Sequence, residues 1–258
     1  MNKFTLLLIA LFLFLSCNQT DKRVPKGKRQ EFDGKDNTGI LREYNKDGVL
    51  VKETQITNGT PDGFIKEYYG NGKLSIHRQC KMGISEGITT RYYFNGIKSK
   101  ETSYERGKIN GLVKRYYENG ALFSEVPMKN GLPVPGYKEF DKNGKPIAPP
   151  KIIIDDKSDD LSIRLFVKLD KNIKAEYYIL DYQNGKKSLI PLPMFGEQAC
   201  FSYRKELGYA ENITIHFIVQ FTTRYQNYVA IEKIYTYKFD KYQLPVTENT
   251  KANWFPCI

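Results

Sequence analysis

The sequence is poor in the groups that build catalytic centres. It holds two histidines, His77 and His216, and one tryptophan. It has no G-x-S-x-G, no phosphate-binding glycine loop, no H-E-x-x-H and no C-x-x-C. The common frames for an acyl-transfer nucleophile, a nucleotide or a zinc ion are therefore missing. His216 alternates onto the polar side of an apolar segment and has no Cys, His or Glu at ligand spacing in the sequence. Asp155, Asp156, Asp159 and Asp160 crowd into DDKSDD, but that run lacks the glycine a calcium loop needs for its sharp turn. These absences point away from an enzyme and imply no metal and no cofactor.

Long apolar runs are also scarce. The only one is Phe4–Leu15, preceded by Asn2 and Lys3. Twelve residues fall short of the roughly 20 needed to cross a bilayer. A basic start, an apolar stretch and Ser16 before Cys17 read as a secretory signal over 1–16. The stretch LFLSC resembles the lipobox of bacterial lipoproteins. That resemblance implies a lipid on Cys17, a tether over 17–34 that includes a partial repeat, and a place in the bacterial cell envelope, at the outer membrane or cell surface. The alternative is cleavage and release without lipid. Three cysteines then remain, so at most one pair forms within the chain. Cys200 and Cys257 share one half of the sequence and are the expected pair, with simple buried thiols as the alternative.

Negative charge is under-represented. The net charge is +11, of which residues 18–150 carry +8 and residues 151–258 carry +2. An exported basic segment suits acidic protein, glycan or headgroup surfaces, or simply keeps an open sheet soluble. Nucleic acid is not an expected partner.

What is abundant is glycine, tyrosine and repetition. EYYGNG, RYYFNG and RYYENG begin at 67, 91 and 115, each 24 residues from the next. Three glycine series share the step: Gly39, Gly63, Gly87 and Gly111; Gly48, Gly72, Gly96, Gly120 and Gly144; Gly59, Gly83, Gly107 and Gly131. A fixed period of this size marks a stack of supersecondary units. Asn-Gly or Asp-Gly at the second series predicts two-residue type I′ hairpin turns. NGTPDG, MGISEG, RGKING and NGLPVPG then read as longer return loops. With that turn, Arg42 faces Glu53, Thr90 faces Glu101, Lys114 faces Glu125 and Lys66 faces His77. His77 is thus a surface variant of a Glu position.

Tyr44, Tyr68, Tyr92, Tyr116 and Phe140 are predicted to form an aromatic ladder on one face, with Tyr69, Tyr93 and Tyr117 on the other. Packing is one role for these rings. The other is partner binding, with Tyr69, Tyr93, Tyr117, Tyr68, Tyr92 and Tyr116 as the candidate residues. Nine or ten strands would make a face about 45 Å long. The pattern resembles the Tyr-Tyr-x-Asn-Gly variant of the MORN repeat, found in a YwqK-type family described as antitoxins. The resemblance covers about 35–145. It implies an open antiparallel sheet used for protein contacts, without catalytic residues, while the lipobox departs from the cytoplasmic setting of an antitoxin.

Proline-rich KPIAPPK ends the repeats and reads as a stiff linker. Beyond it, period-two segments such as LSIRLFVKL and NITIHFIVQF predict about seven short strands. The expected architecture is all-β: an open antiparallel meander of 24-residue hairpins over 35–147, then a β-sandwich, on an Ig-like pattern, over 148–258. The expected role is a non-enzymatic platform for an envelope protein, antitoxin-like or immunity-like. The alternatives are a glycan or peptidoglycan binder, and a spacer that presents the second half.

Overall fold

The computed structural model describes residues 29–159, 162–183, 186–204 and 212–238. The signal segment, Cys17, Asp160, Asn184-Gly185 and Cys257 lie outside the described residues.

The first half is one antiparallel 13-stranded sheet. Its strands are β1 (Arg29–Lys35), β2 (Thr38–Tyr44), β3 (Leu50–Thr57), β4 (Thr60–Tyr68), β5 (Leu74–Lys81), β6 (Ile84–Ser85) and β7 (Gly87–Tyr92). They continue with β8 (Lys98–Glu105), β9 (Lys108–Tyr116), β10 (Leu122–Lys129), β11 (Leu132–Pro133), β12 (Lys138–Phe140) and β13 (Pro146–Ile147). Neighbours follow chain order, as in a meander; the short β6 and β11 pair only with β5 and β10. Pro146-Ile147 of the proline-rich stretch pairs with β12 as the last strand.

The turn chemistry is the reverse of the sequence expectation. The two-residue type I′ turns lie at the third glycine series. Asn58 and Gly59 both have positive φ, 51° and 77°, and Thr57 pairs directly with Thr60. Met82-Gly83, Arg106-Gly107 and Asn130-Gly131 repeat this backbone. At the second series only the glycine is left-handed, as at Gly72 with φ 78°. There the Gly72 N–H donates to Tyr69 O and the Tyr69 N–H to Lys73 O, closing a three-residue loop. This is a type I turn followed by a bulge glycine. Asn71 keeps ordinary φ because its side-chain oxygen caps the Lys73 N–H at 3.1 Å. Asn95 and Asn119 cap Ile97 and Ala121 in the same way.

The strand registers are those expected despite the different turn. Arg42 faces Glu53, Lys66 faces His77, Thr90 faces Glu101 and Lys114 faces Glu125. A register shift beside each of the first four three-residue loops, as between Glu67 and Tyr68, adds one residue to the partner strand. It restores the alignment that a two-residue loop would have given.

The second half forms two four-stranded antiparallel sheets. One holds β14 (Ile152–Asp156), β15 (Ser162–Leu169), β18 (Met194–Phe195) and β19 (Gln198–Arg204). The other holds β16 (Ala175–Gln183), β17 (Lys186–Pro191), β20 (Ile213–Thr222) and β21 (Tyr228–Tyr237). Alternation along β15 buries Ile163, Leu165 and Val167 completely. Phe217 and Val219 of β20 are buried equally from the other sheet. Phe201 and Phe217 meet edge to face across the sheets at 6.1 Å, an arrangement that aromatic quadrupoles favour. β16 and β17 pair with Gln183 opposite Lys186, the register of a tight hairpin.

The core does not stop at the end of the repeats. Val126 and Tyr137 belong to the same buried cluster, with Val113 and Met128 packed against it. The repeat sheet therefore gains a second layer at its C-terminal end. There the sandwich covers one face of β9, β10 and β12.

Candidate interaction faces of the sheet

Side chains alternate across the sheet, so each strand contributes to two faces. On the first face a row of directly opposed residues runs Glu31, Arg42, Glu53, Lys66, His77, Thr90, Glu101, Lys114, Glu125, Lys138. The signs alternate except at His77 and Thr90, which favours this register over slipped ones. Ion pairs confirm the contacts: Arg42–Glu53 at 3.1 Å, Lys114–Glu125 at 3.3 Å and Lys138–Glu125 at 3.9 Å.

The first tyrosine ladder lies beside this row. Tyr44, Tyr68 and Tyr116 donate their hydroxyls to Glu31, Glu53 and Glu101 of the preceding strand, at 2.8, 2.5 and 2.6 Å. The Tyr68 bond, followed by burial opposing it and then Arg42, leaves the Glu53 carboxyl below the usual range. Lys98 and then Tyr116 do the same for Glu101. Burial and the facing carboxylate push Tyr68 and Tyr116 up to about 12. Tyr92 stands fifteen residues after His77, where the repeat would place that glutamate.

Tyr69, Tyr93 and Tyr117 work in the opposite direction. Their hydroxyls reach forward one unit and donate to the backbone oxygens of Tyr92, Tyr116 and Phe140, at 2.6, 2.6 and 2.8 Å. The pairs Tyr68-Tyr69 and Tyr116-Tyr117 thus join their hairpins to both neighbours, and Tyr93 joins its own to the next. In the outer units Asn45 and Asp141 fill the second tyrosine's slot and cap their own turns instead. At the opposite rim the turn glycine N–H groups of Gly59, Gly83, Gly107 and Gly131 donate to Asn37, Pro61, Ser85 and Ile109 of the unit before. The six candidate tyrosines therefore form two half-buried rows inside the repeat, not one freely exposed cluster.

A third row on the first face was not anticipated. Ile40, Phe64, Ile88 and Leu112 each follow a glycine of the first series and share a face with Lys66 and Thr90. Ile88 is 54% exposed and Leu112 41%. Their 24-residue step was visible in the sequence, but each is a lone apolar residue among polar ones. The ammonium of Lys66 lies 4.6 Å from the centre of the Phe64 ring, a cation–π contact.

The other expected residues are scattered. The turn glycines Gly48, Gly72, Gly96, Gly120 and Gly144 all have positive φ. Cys80 is a buried free thiol. Cys200 is buried and disulfide-bonded; its expected partner Cys257 lies outside the described residues. His216 Nδ1 lies 2.9 Å from Glu232 Oε1, a cross-strand pair that sequence spacing did not reveal. Asp155 pairs with Lys157, Asp159 with Arg164, and Asp156 accepts from the Tyr235 hydroxyl. Among the described residues no group of three or more His, Cys, Asp or Glu is placed to hold a metal ion.

Sequence reading also missed the polar centre between the two halves. Glu139 is buried and accepts from Thr223 Oγ1 at 2.7 Å and Asn227 Nδ2 at 2.6 Å. The carboxylate links strand β12 to the turn before β21, across 84 and 88 residues of sequence.

This geometry defines a class: an open sheet of hairpin repeats locked unit to unit by tyrosine hydroxyls. Residues 109–130, one such unit spanning most of β9 and β10, match the MORN repeat variant family. A comparison with curated proteins found no significant match.

Proposed function

We propose that the chain is a non-enzymatic interaction platform that binds a protein partner on the first face of the repeat sheet. The observation that carries this reading is the apolar row Ile40, Phe64, Ile88 and Leu112, half-buried at its first two members and exposed at Ile88 and Leu112, beside an alternating charge row. Exposed apolar groups rimmed by ordered charge are what protein interfaces use. Among the described residues the sandwich packs against the opposite face, through Val113, Val126, Met128 and Tyr137, which leaves the first face as the proposed contact surface. About 11 strands in series give it a length of roughly 48 Å, enough for an extended partner.

The reading includes an envelope setting, through a lipid on Cys17, and an immunity-like role toward an envelope protein. It rests there on the sequence signal alone. The test is affinity enrichment from envelope extract with the full chain and with a Phe64→Ser, Ile88→Ser, Leu112→Ser variant, each checked for fold by circular dichroism. One protein retained by the first and lost from the second supports the reading. Equal retention by both places the contact elsewhere, and the spacer reading then gains.

A further inference from the structure

The second face carries an arrangement of charge that breaks the rule followed elsewhere in the sheet. Register places Arg91 opposite Lys100, and Lys100 opposite Arg115. Three cations stand side by side, one on each of β7, β8 and β9, about 4.8 Å apart along the sheet. Arg78 lies on the same face of β5, diagonal to Arg91, since Arg91 is opposite Ile76. Like charges directly across strands destabilise a sheet. The same row begins Glu43, Lys52, Glu67, with alternating signs.

No carboxylate answers these cations. Among the described residues, Arg78, Arg91, Lys100 and Arg115 take part in no ion pair, whereas Lys52 on the same face holds Glu43 at 3.1 Å. Arg78 Nε is buried without a hydrogen-bond partner. Burial, then Arg115 and Arg91, hold the Lys100 ammonium below the usual lysine range. The row continues through Ser124 to Glu139, and those two bond to Asn227. The cations therefore end against the wall formed by the turn before β21.

We propose that Arg91, Lys100 and Arg115, with Arg78 beside them, form a binding site for a multivalent oxyanion, a phosphate or sulfate group. Guanidinium forks on either side of a central ammonium suit a tetrahedral oxyanion, which accepts bidentate bonds and supplies charge from several directions. A single carboxylate would leave most of the positive charge unanswered. Two sources carry this chemistry: a free ion, or a group borne on an acidic polysaccharide. The site lies on the face opposite the proposed protein contact and does not depend on it.

The test measures thermal unfolding and calorimetric binding of the full chain in sodium phosphate, sodium sulfate and sodium chloride at matched ionic strength. Both oxyanions raise Tm generally by exclusion from protein surface. That part persists in every variant and is subtracted with Arg91→Gln/Lys100→Met/Arg115→Gln. The proposal expects a further, saturable rise of a few degrees at about ten times Kd, confined to the unsubstituted chain. Lys100→Met alone raises Tm in chloride and abolishes the oxyanion increment; Lys52→Met leaves the increment intact. Dextran sulfate is the second arm. Saturable heat with inorganic phosphate or sulfate assigns the free group, and heat with dextran sulfate alone, lost in the triple variant, assigns polymer-borne groups. Equal increments in the unsubstituted and triple-variant chains in both arms overturn the proposal.

Discussion

Replacing Tyr69, Tyr93 and Tyr117 together by Phe removes three hydroxyls and keeps the rings. Each hydroxyl makes one neutral hydrogen bond, 2.6 to 2.8 Å long, to a backbone oxygen of the next unit. A part-buried bond of this type contributes about 1 kcal/mol net. The three sites lie two strands apart, about 10 Å, far enough for their effects to add. The expected loss is therefore about 3 kcal/mol, a large share of a typical total stability of 5–15 kcal/mol. Urea unfolding followed by tyrosine fluorescence would show it as a lower midpoint with an unchanged slope. Hydrogen exchange would show faster exchange at the Gly72, Gly96 and Gly120 amides, which lie in the loops these tyrosines anchor. A triple variant within about 0.5 kcal/mol of the parent, with unchanged exchange there, would refute the claim that these hydroxyls join the units.

Three further outcomes follow from the same contacts. Glu139→Ala leaves the Thr223 hydroxyl and Asn227 amide buried without their acceptor and should cost about 2–4 kcal/mol. A loss below about 1 kcal/mol in calorimetry would mean that the two halves are not joined through this carboxylate. Tyr68 and Tyr116 hold their protons up to about 12 in the fold, against 10 when unfolded. Their contribution is thus present below pH 10 and lost as pH rises through 12. Absorbance titration should show late-titrating tyrosines, two fewer in Tyr68→Phe/Tyr116→Phe, with Tyr137 and Tyr235 still raised by burial, while Glu53 and Glu101, depressed in the fold, give stability that fades as pH falls below the usual carboxylate range. Gly39→Ala should open the first hairpin, because its Cβ would come within 2.3 Å of the Asp33 carbonyl oxygen; a native-like spectrum for β1 and β2 in nuclear magnetic resonance would contradict this.

The fold was legible where a signal repeats. The 24-residue period and the alternating apolar segments specify sheets without reference to distant contacts, and the register of Arg42 opposite Glu53, expected from a two-residue turn, holds because the bulge offsets the longer loop. The turns were misassigned because Asn-Gly occurs at both rims of the sheet, as Asn58-Gly59 and as Asn71-Gly72. What separates them is the Asn71 side chain capping Lys73, a local bond that the dipeptide does not encode. The tyrosines were legible as rows but not as clips, since their acceptors are backbone oxygens one unit away. Ile88 and Leu112 looked like ordinary strand residues, because exposure depends on which face the second half covers. Glu139 gave no signal at all: its partners lie more than 80 residues on, in another sheet. The opposed cations Arg91, Lys100 and Arg115 were hidden for a similar reason, as adjacency across strands appears only once the register is known.

The account turns on which face of the sheet meets a partner. The most direct measurement is photocrosslinking in intact cells, with a benzophenone amino acid placed at Ile88 or Leu112 on the first face, or at Lys52 on the second. The account predicts one discrete adduct, the same from Ile88 and Leu112, and none from Lys52. An adduct from Lys52 alone, or none from either first-face position, would contradict it.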